Sequence, residues 1–219
     1  MPLPGEMFYR MKPNSLRKGF KPQAESISLD LRSRLNLKAT DACPARQVAH
    51  LLQIQVVSIQ MLRKIAEQHL TIEFPNSAHL DTSLKTLENR DTQFSAMATI
   101  IGEHRIIIFN ELNSIARQES DIMHELAHVI CEHPGNCLSQ KLRKYDPQHE
   151  NEAIWLGATI QIPEAGLFQL VREGRTNQQI ADNYGSSLQM ATYRRNILGI
   201  DIRISRSNKS TTGPVINKA

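Results

Sequence analysis

The sequence predicts an α+β fold: a small, mostly antiparallel sheet packed against one long helix, followed by a short helical C-terminal segment. Three stretches carry that expectation. In SAMATIIGEHRIIIFN, residues 95–110, β-branched residues crowd both arms around a GEH turn, which reads as a β-hairpin. From Ile115 to Val129 apolar residues recur at helical spacing, placing Ile115, Ile122, Leu126 and Val129 on one buried stripe. Farther on, TNQQIADNYGSSLQMATYRRNILGI, residues 176–200, reads as two short helices about a turn at Gly185.

The other elements follow in chain order. Residues 1–22 hold four prolines, two glycines and many cations without a steady period, an extended or disordered basic lead-in. The main domain is expected over residues 23–165. ESISLDLRSRLNL, 25–37, spaces Ile27, Leu31 and Leu35 four apart on one helix face. Pro44 suits the start of a second helix carrying Val48, Leu51 and Leu52, and IQVVSI, 54–59, reads as a strand. MLRKIAEQHL, 61–70, has helical spacing, but the polar text through residue 95 assigns no element. The hairpin ends at Asn110, Ser114 stands where a helix N-cap belongs, and Pro134-Gly135 is expected to stop the helix. HENEAIWLGATIQIP, 149–163, reads as a further helix. Residues 166–206 form the C-terminal helical segment, packed on the main domain, and SNKSTTGPVINKA, from 207, has the composition of a disordered tail.

Composition narrows the function classes. At 219 residues the chain can bury a core without disulfides. Cys43, Cys131 and Cys137 have no zinc-finger spacing, and the first twenty residues show no apolar stretch typical of a secretion signal. A reducing, cytoplasmic setting is expected. No apolar run approaches the roughly 18 residues of a membrane span, so no membrane partner is expected. The net charge of +4 is uneven: residues 1–40 and 166–219 each carry eight Lys/Arg against three Asp/Glu, while residues 41–165 carry ten against sixteen. Basic ends leave nucleic acid open as a partner, although such ends are more often solvated.

The acidic middle contains DIMHELAHVICEHP, residues 121–134. His124 and His128, one helical turn apart, share a stripe with Arg117, Asp121 and Cys131, and side chains at that spacing lie within about 6 Å. Both imidazoles can therefore address one ion. Glu125 is rotated by one residue, poor for ligation but placed to reach a water on the metal as general base. A shuffled chain of this composition holds such an H-E-x-x-H only about 2% of the time, which disfavours a helix with two incidental histidines. A closed structural site is disfavoured too, because such sites normally have four protein ligands and are rich in cysteine; Cys131 and Cys137 nonetheless keep it open.

A catalytic zinc site requires a third protein ligand. In the 149–163 helix Glu150 shares a face with Ala153 and Gly157, whose small side chains allow close approach to the histidine helix, while Glu152 points about 200° away. Glu150 is the expected ligand and Glu152 the fallback.

These stretches resemble the ImmA/IrrE metallopeptidases, a family of gluzincin-like zinc domains. GFKPQAESISLDLRSRLNL, 19–37, is similar to the family's lead-in helix and ARQVAHLLQIQVV, 45–57, to its helix-then-strand opening. FSAMATIIGEHRIIIFNELNSIARQESDIMHELAHVI, 94–130, resembles its hairpin and signature helix, and ENEAIWLGATIQIPE, 150–164, its later glutamate helix. The similarity runs over about residues 17–200. It implies a zincin-like metallopeptidase fold, one Zn²⁺ per chain held by His124, His128 and Glu150, and Glu125 as catalytic base. It also implies an endopeptidase acting on a protein substrate, typically a helix-turn-helix repressor, with derepression as the outcome. Ile154, Trp155 and Gln161 depart from the family's text, which bears on substrate contacts rather than the metal. The strand ending at Asn110 is expected to offer an edge to an extended substrate. Tyr145, His149 and His133 lie near in sequence, but each reads more readily as a surface or helix-end residue than as a donor to the oxyanion.

Two other classes remain. A DNA-binding regulator could use the peptidase body as a scaffold, with Arg194, Arg195 and Arg203 meeting phosphates from a helix-turn-helix around Ala181, Gly185 and Ala191. Arg194, however, falls where that motif buries an apolar residue, so packing against the main domain is the favoured role of this segment. A toxin–antitoxin component would share the same body.

Overall fold

The computed structural model describes residues 16–69, 94–101, 104–134, 136–137 and 146–211. The first fifteen residues of the lead-in, the turn at 102–103, the text of 70–93, Tyr145 and residues 212–219 lie outside that set. Among the described residues the elements follow in the order α1 (Phe20–Arg34), α2 (Ala45–Leu51), β1 (Gln55–Ser58), α3 (Ile59–His69), β2 (Ala96–Ile101), β3 (His104–Phe109), α4 (Ile115–Ile130), β4 (Asn136–Cys137), α5 (Pro147–Gln161), α6 (Glu164–Arg172), α7 (Asn177–Tyr184), α8 (Leu188–Ile197) and α9 (Ile200–Thr211).

The expected α+β class is found, with a mixed sheet of order β1-β3-β2-β4. The hairpin β2–β3 is antiparallel over six residue pairs, whereas β1 joins β3 and β4 joins β2 in parallel. β3 is therefore central, so the strand ending at Asn110 offers no edge; the open side belongs to β2, which β4 covers only at Thr99 and Ile100. Ile106, Ile107, Ile108 and Phe109 are all buried because both faces of β3 are packed. Ile107 and Phe109 meet α1, α2, α4 and α5, while Ile106 and Ile108 meet Val57, Ile59 and Leu62 on the other face.

Several boundaries differ from the expectation, each for a local reason. α1 begins five residues earlier than its apolar periodicity suggested, after Gly19 in the left-handed conformation (φ 80°), and Phe20 and Ala24 continue the Leu31 stripe into the core. Ser114 occupies the N-cap of α4 without a side-chain cap bond. Ile115, expected to be buried, is 70% exposed, since the first turn of α4 precedes the core contacts that begin at Ile122. α4 stops before Pro134-Gly135: Glu132 turns left-handed at φ 56°, its N–H bonds Val129 O, and His133 N–H bonds His128 O. That Schellman pattern ends the helix. At the other extreme α9 runs on to Thr211, inside the segment expected to be a tail.

The C-terminal helices have their own core of Leu167, Ile180, Ala181, Met190, Ala191 and Ile200, which also takes in Ala158 and Ile162 at the end of α5. Gly185, at φ 62°, makes the turn between α7 and α8 that was read from the sequence. Two buried arginines tie the end of α5 to the rest. Arg32 donates to Ile160 O and Gln161 O at 2.9 and 3.1 Å, and Arg194 donates to Ile162 O and Glu25 Oε1, each at 3.0 Å. Trp155 is 2% exposed beneath Arg194 and Lys21, and Gln161 is 6% exposed, so these departures from the family text serve the core.

Candidate metal centre

α4 buries Ile122, Met123, Leu126 and Ala127 completely, and this fixes the rotation of the helix about its axis. His124 and His128 consequently face α5. Their Nε2 atoms lie 3.1 Å apart, with the rings at 88°. α5 comes close because residue 157 is glycine: a Cβ there would lie 3.3 Å from Met123 O and 3.5 Å from the His124 Cα. About two turns earlier on that helix, Glu150 Oε2 reaches His124 Nε2 at 3.4 Å and His128 Nε2 at 3.5 Å. Glu150 and His128 are buried and His124 is half-buried. Two imidazole nitrogens and a carboxylate oxygen thus converge on one point, and a cation there satisfies all three at once; the group could hold a metal ion.

Glu125 points elsewhere, as its one-residue rotation requires. Its Oε2 accepts the Ala98 N–H of β2 at 2.8 Å, which sets the carboxylate between α4 and the outer edge of that strand. Asp121, one turn before Glu125, is buried beside Arg117 and Asn113. Burial pushes its carboxyl up to about 6, against the pull of Arg117 and His124.

Glu152, the fallback ligand, is not brought to the histidine pair. It is fully buried on another side of α5, where the Arg17 guanidinium pairs with it and Gln148 Nε2 donates at 3.1 Å. His133 Nε2 approaches its Oε2 at 3.4 Å. His133 is also no surface residue: its side chain is 3% exposed, its Nδ1 lies 2.9 Å from His128 Nδ1, and its ring stacks on His149 at 4.3 Å. Cys131 joins His133 and Glu152 in a second group with metal-ligating atoms, rather than closing the first. Burial pushes the Cys131 thiol up to about 11, with Arg17 lowering it and Glu152 raising it. Sequence reasoning missed Arg17 altogether, since a cation in a basic lead-in gives no sign that it will cross 135 residues to a buried carboxylate.

Residues 60–196 match the IrrE N-terminal-like domain, Peptidase_M78. The match takes in α4, α5 and most of the C-terminal helices. No curated protein matches the chain.

Proposed function

The chain belongs to the IrrE N-terminal-like domain family, Peptidase_M78, and from that premise we propose that it is a zinc-dependent endopeptidase cutting a regulatory protein. The observation that carries this reading is the triangle of His124 Nε2, His128 Nε2 and Glu150 Oε2, with edges of 3.1, 3.4 and 3.5 Å. A tetrahedral zinc with bonds of roughly 2.0–2.1 Å separates its ligand atoms by about 3.3 Å, so the residues fit that ion. Three protein ligands leave the fourth position to water, the pattern of a catalytic site.

Bound zinc would supply a Lewis acid for the scissile carbonyl and a water whose pKa falls toward about 7. Glu125 then takes the proton of the attacking water on its carboxylate and returns it to the leaving amine nitrogen. The carboxylate is positioned for this by the Ala98 N–H. An extended substrate adds to the outer edge of β2 at Ala96, where no strand partner stands among the described residues, and is thereby laid beside Glu125, which keeps the Ala98 N–H. On this reading residues 23–165 are the peptidase domain and 166–206 a packed helical segment, in a cytoplasmic protein. Its substrate is a helix-turn-helix repressor, whose cleavage derepresses genes; that class comes from the family resemblance.

The rival DNA-binding reading loses its leading residue. Arg194 is fully buried against Glu25 and Ile162 O, Arg195 pairs with Asp201, and Arg203 pairs with Glu164. Among the described residues no helix is long and apolar enough to cross a membrane.

The test compares new protein N-termini in host cells expressing wild type or Glu125→Gln, with zinc content measured in both proteins. One regulator acquires a discrete new N-terminus with wild type only, and turnover of that substrate falls about 10²–10⁴-fold in Glu125→Gln at equal zinc loading. Identical termini at equal loading, in cells whose transcription wild type still alters, would instead support a non-proteolytic regulator or toxin–antitoxin component.

A further inference from the structure

Behind His128, one of the candidate ligands, runs a chain of polar side chains that the proposed reaction does not use: the buried His133 and Glu152, and Arg17 at the surface. We propose that His133 and Glu152, with Glu152 clamped by Arg17, form a relay that positions His128 for metal binding by fixing its ring orientation and tautomer. The inference rests on the metal-centre reading above.

The argument turns on where two protons must be. His128 Nδ1 and His133 Nδ1 are 2.9 Å apart, a separation that requires one proton between them. If His133 donated it, its own Nε2 would be a lone pair facing the Glu152 carboxylate, and the proton of His128 would sit on Nε2, pointing at His124 and Glu150. The first is repulsive, and the second leaves His128 no lone pair to offer a cation. In the opposite arrangement His128 donates from Nδ1, its Nε2 lone pair faces the Glu150 triangle, and His133 donates from Nε2 toward Glu152 Oε2. The acceptor oxygen of Glu152 therefore selects the tautomer of His128 that can bind a cation, two hydrogen bonds away.

Glu152 can exert that choice because its carboxyl group is held in place. The Arg17 guanidinium pairs with Oε2, the Arg17 backbone N–H approaches Oε1 at 3.4 Å, and Gln148 Nε2 donates to Oε1 at 3.1 Å. The 3.4 Å step from His133 to Glu152 is the loosest in the run and the one that Arg17 competes for. His133 is placed by the end of α4: the left-handed turn at Glu132 brings its N–H to His128 O at 3.0 Å, and the His149 ring stacks on it. Outer partners of metal-binding histidines commonly act this way, fixing tautomer and orientation. The same cluster suits a second metal poorly, because Arg17 already supplies the cation at Glu152 and both His133 nitrogens are engaged.

The test measures zinc affinity of the full chain by chelator competition for wild type, His133→Phe, Glu152→Leu and Glu152→Gln. Cobalt-substituted visible spectra and the thermal midpoints of the metal-free proteins accompany it. Wild type binds one zinc; His133→Phe and Glu152→Leu weaken it about 10- to 100-fold and shift the cobalt bands. Glu152→Gln, whose amide oxygen still accepts from His133, recovers most of the affinity and keeps the proposal testable if the leucine variant does not fold. Equal affinities in all four proteins, with one zinc in wild type, would overturn the relay and leave the metal centre standing. Two zinc ions in wild type, one of them lost in Glu152→Leu, would overturn it in favour of a second metal at Cys131, His133 and Glu152. A wild type that takes up no zinc would overturn the relay together with the metal centre.

Discussion

The two ends of α5 bury charge in opposite ways. At the C-terminal end the last carbonyls, which lack intrahelical partners and carry the negative pole of the helix, meet guanidinium groups from the chain itself. Arg32 bonds Ile160 O and Gln161 O, and also Lys38 O and Asp41 O at 2.9 and 2.8 Å; Arg194 bonds Ile162 O and Glu25. At the N-terminal end Glu150 converges with two imidazoles instead. Two residues along, Glu152 has Arg17. The contrast teaches where to look for function: a buried carboxylate with its own arginine has its charge answered within the chain and can at most position a neighbour, whereas one that converges with two imidazole nitrogens could hold a metal ion.

That contrast can be broken at several points. The largest stability effect belongs to the C-terminal end. Arg194→Met leaves Glu25 and Ile162 O without their partner and costs about 3 kcal/mol of unfolding free energy in chemical denaturation, while zinc affinity stays unchanged. A parallel loss of zinc would mean that the two ends are not independent. Next comes Gly157→Val, between them. Its side chain must displace the Met123–His124 backbone, costing about 2 kcal/mol and, unlike Arg194→Met, weakening zinc binding.

At the metal end, Asp121 carries a carboxyl raised to about 6 by burial. Its raised pKa favours the folded state fully below the ordinary aspartate value near 3.8, and that contribution is lost as pH rises through about 6. Asp121→Asn should therefore make the metal-free protein more stable than wild type by about 2 kcal/mol above that range, and about equal to it near pH 4, as read from unfolding midpoints across pH. The smallest effect is at Glu132. Glycine there relieves the left-handed backbone of a non-glycine residue, and Glu132→Gly should stabilise by about 0.5–1 kcal/mol.

What the sequence revealed was what is local. His124, Glu125 and His128 are legible because their geometry is set within one turn of one helix, and Glu150 because Ala153 and Gly157 mark the face that approaches closely. The hairpin is legible from its β-branched arms. The parallel partner of β1 is not, since β1 and β3 are separated by a helix and text with no periodic signal. The helix stop at Glu132 is hidden because glycine or proline usually announces such a turn. The partners of Arg17 and Arg194 are hidden for a different reason: an arginine in a basic lead-in reads as solvated, and the carboxylates these two meet lie 135 and 169 residues away.

The most direct test of the account is a zinc-edge anomalous diffraction map from crystals of the protein grown with zinc. The account predicts one peak per chain, within about 2.0–2.2 Å of His124 Nε2, His128 Nε2 and a Glu150 oxygen, with no peak beside Glu152. A peak bonded to Cys131, His133 and Glu152, or no peak between α4 and α5, would contradict it.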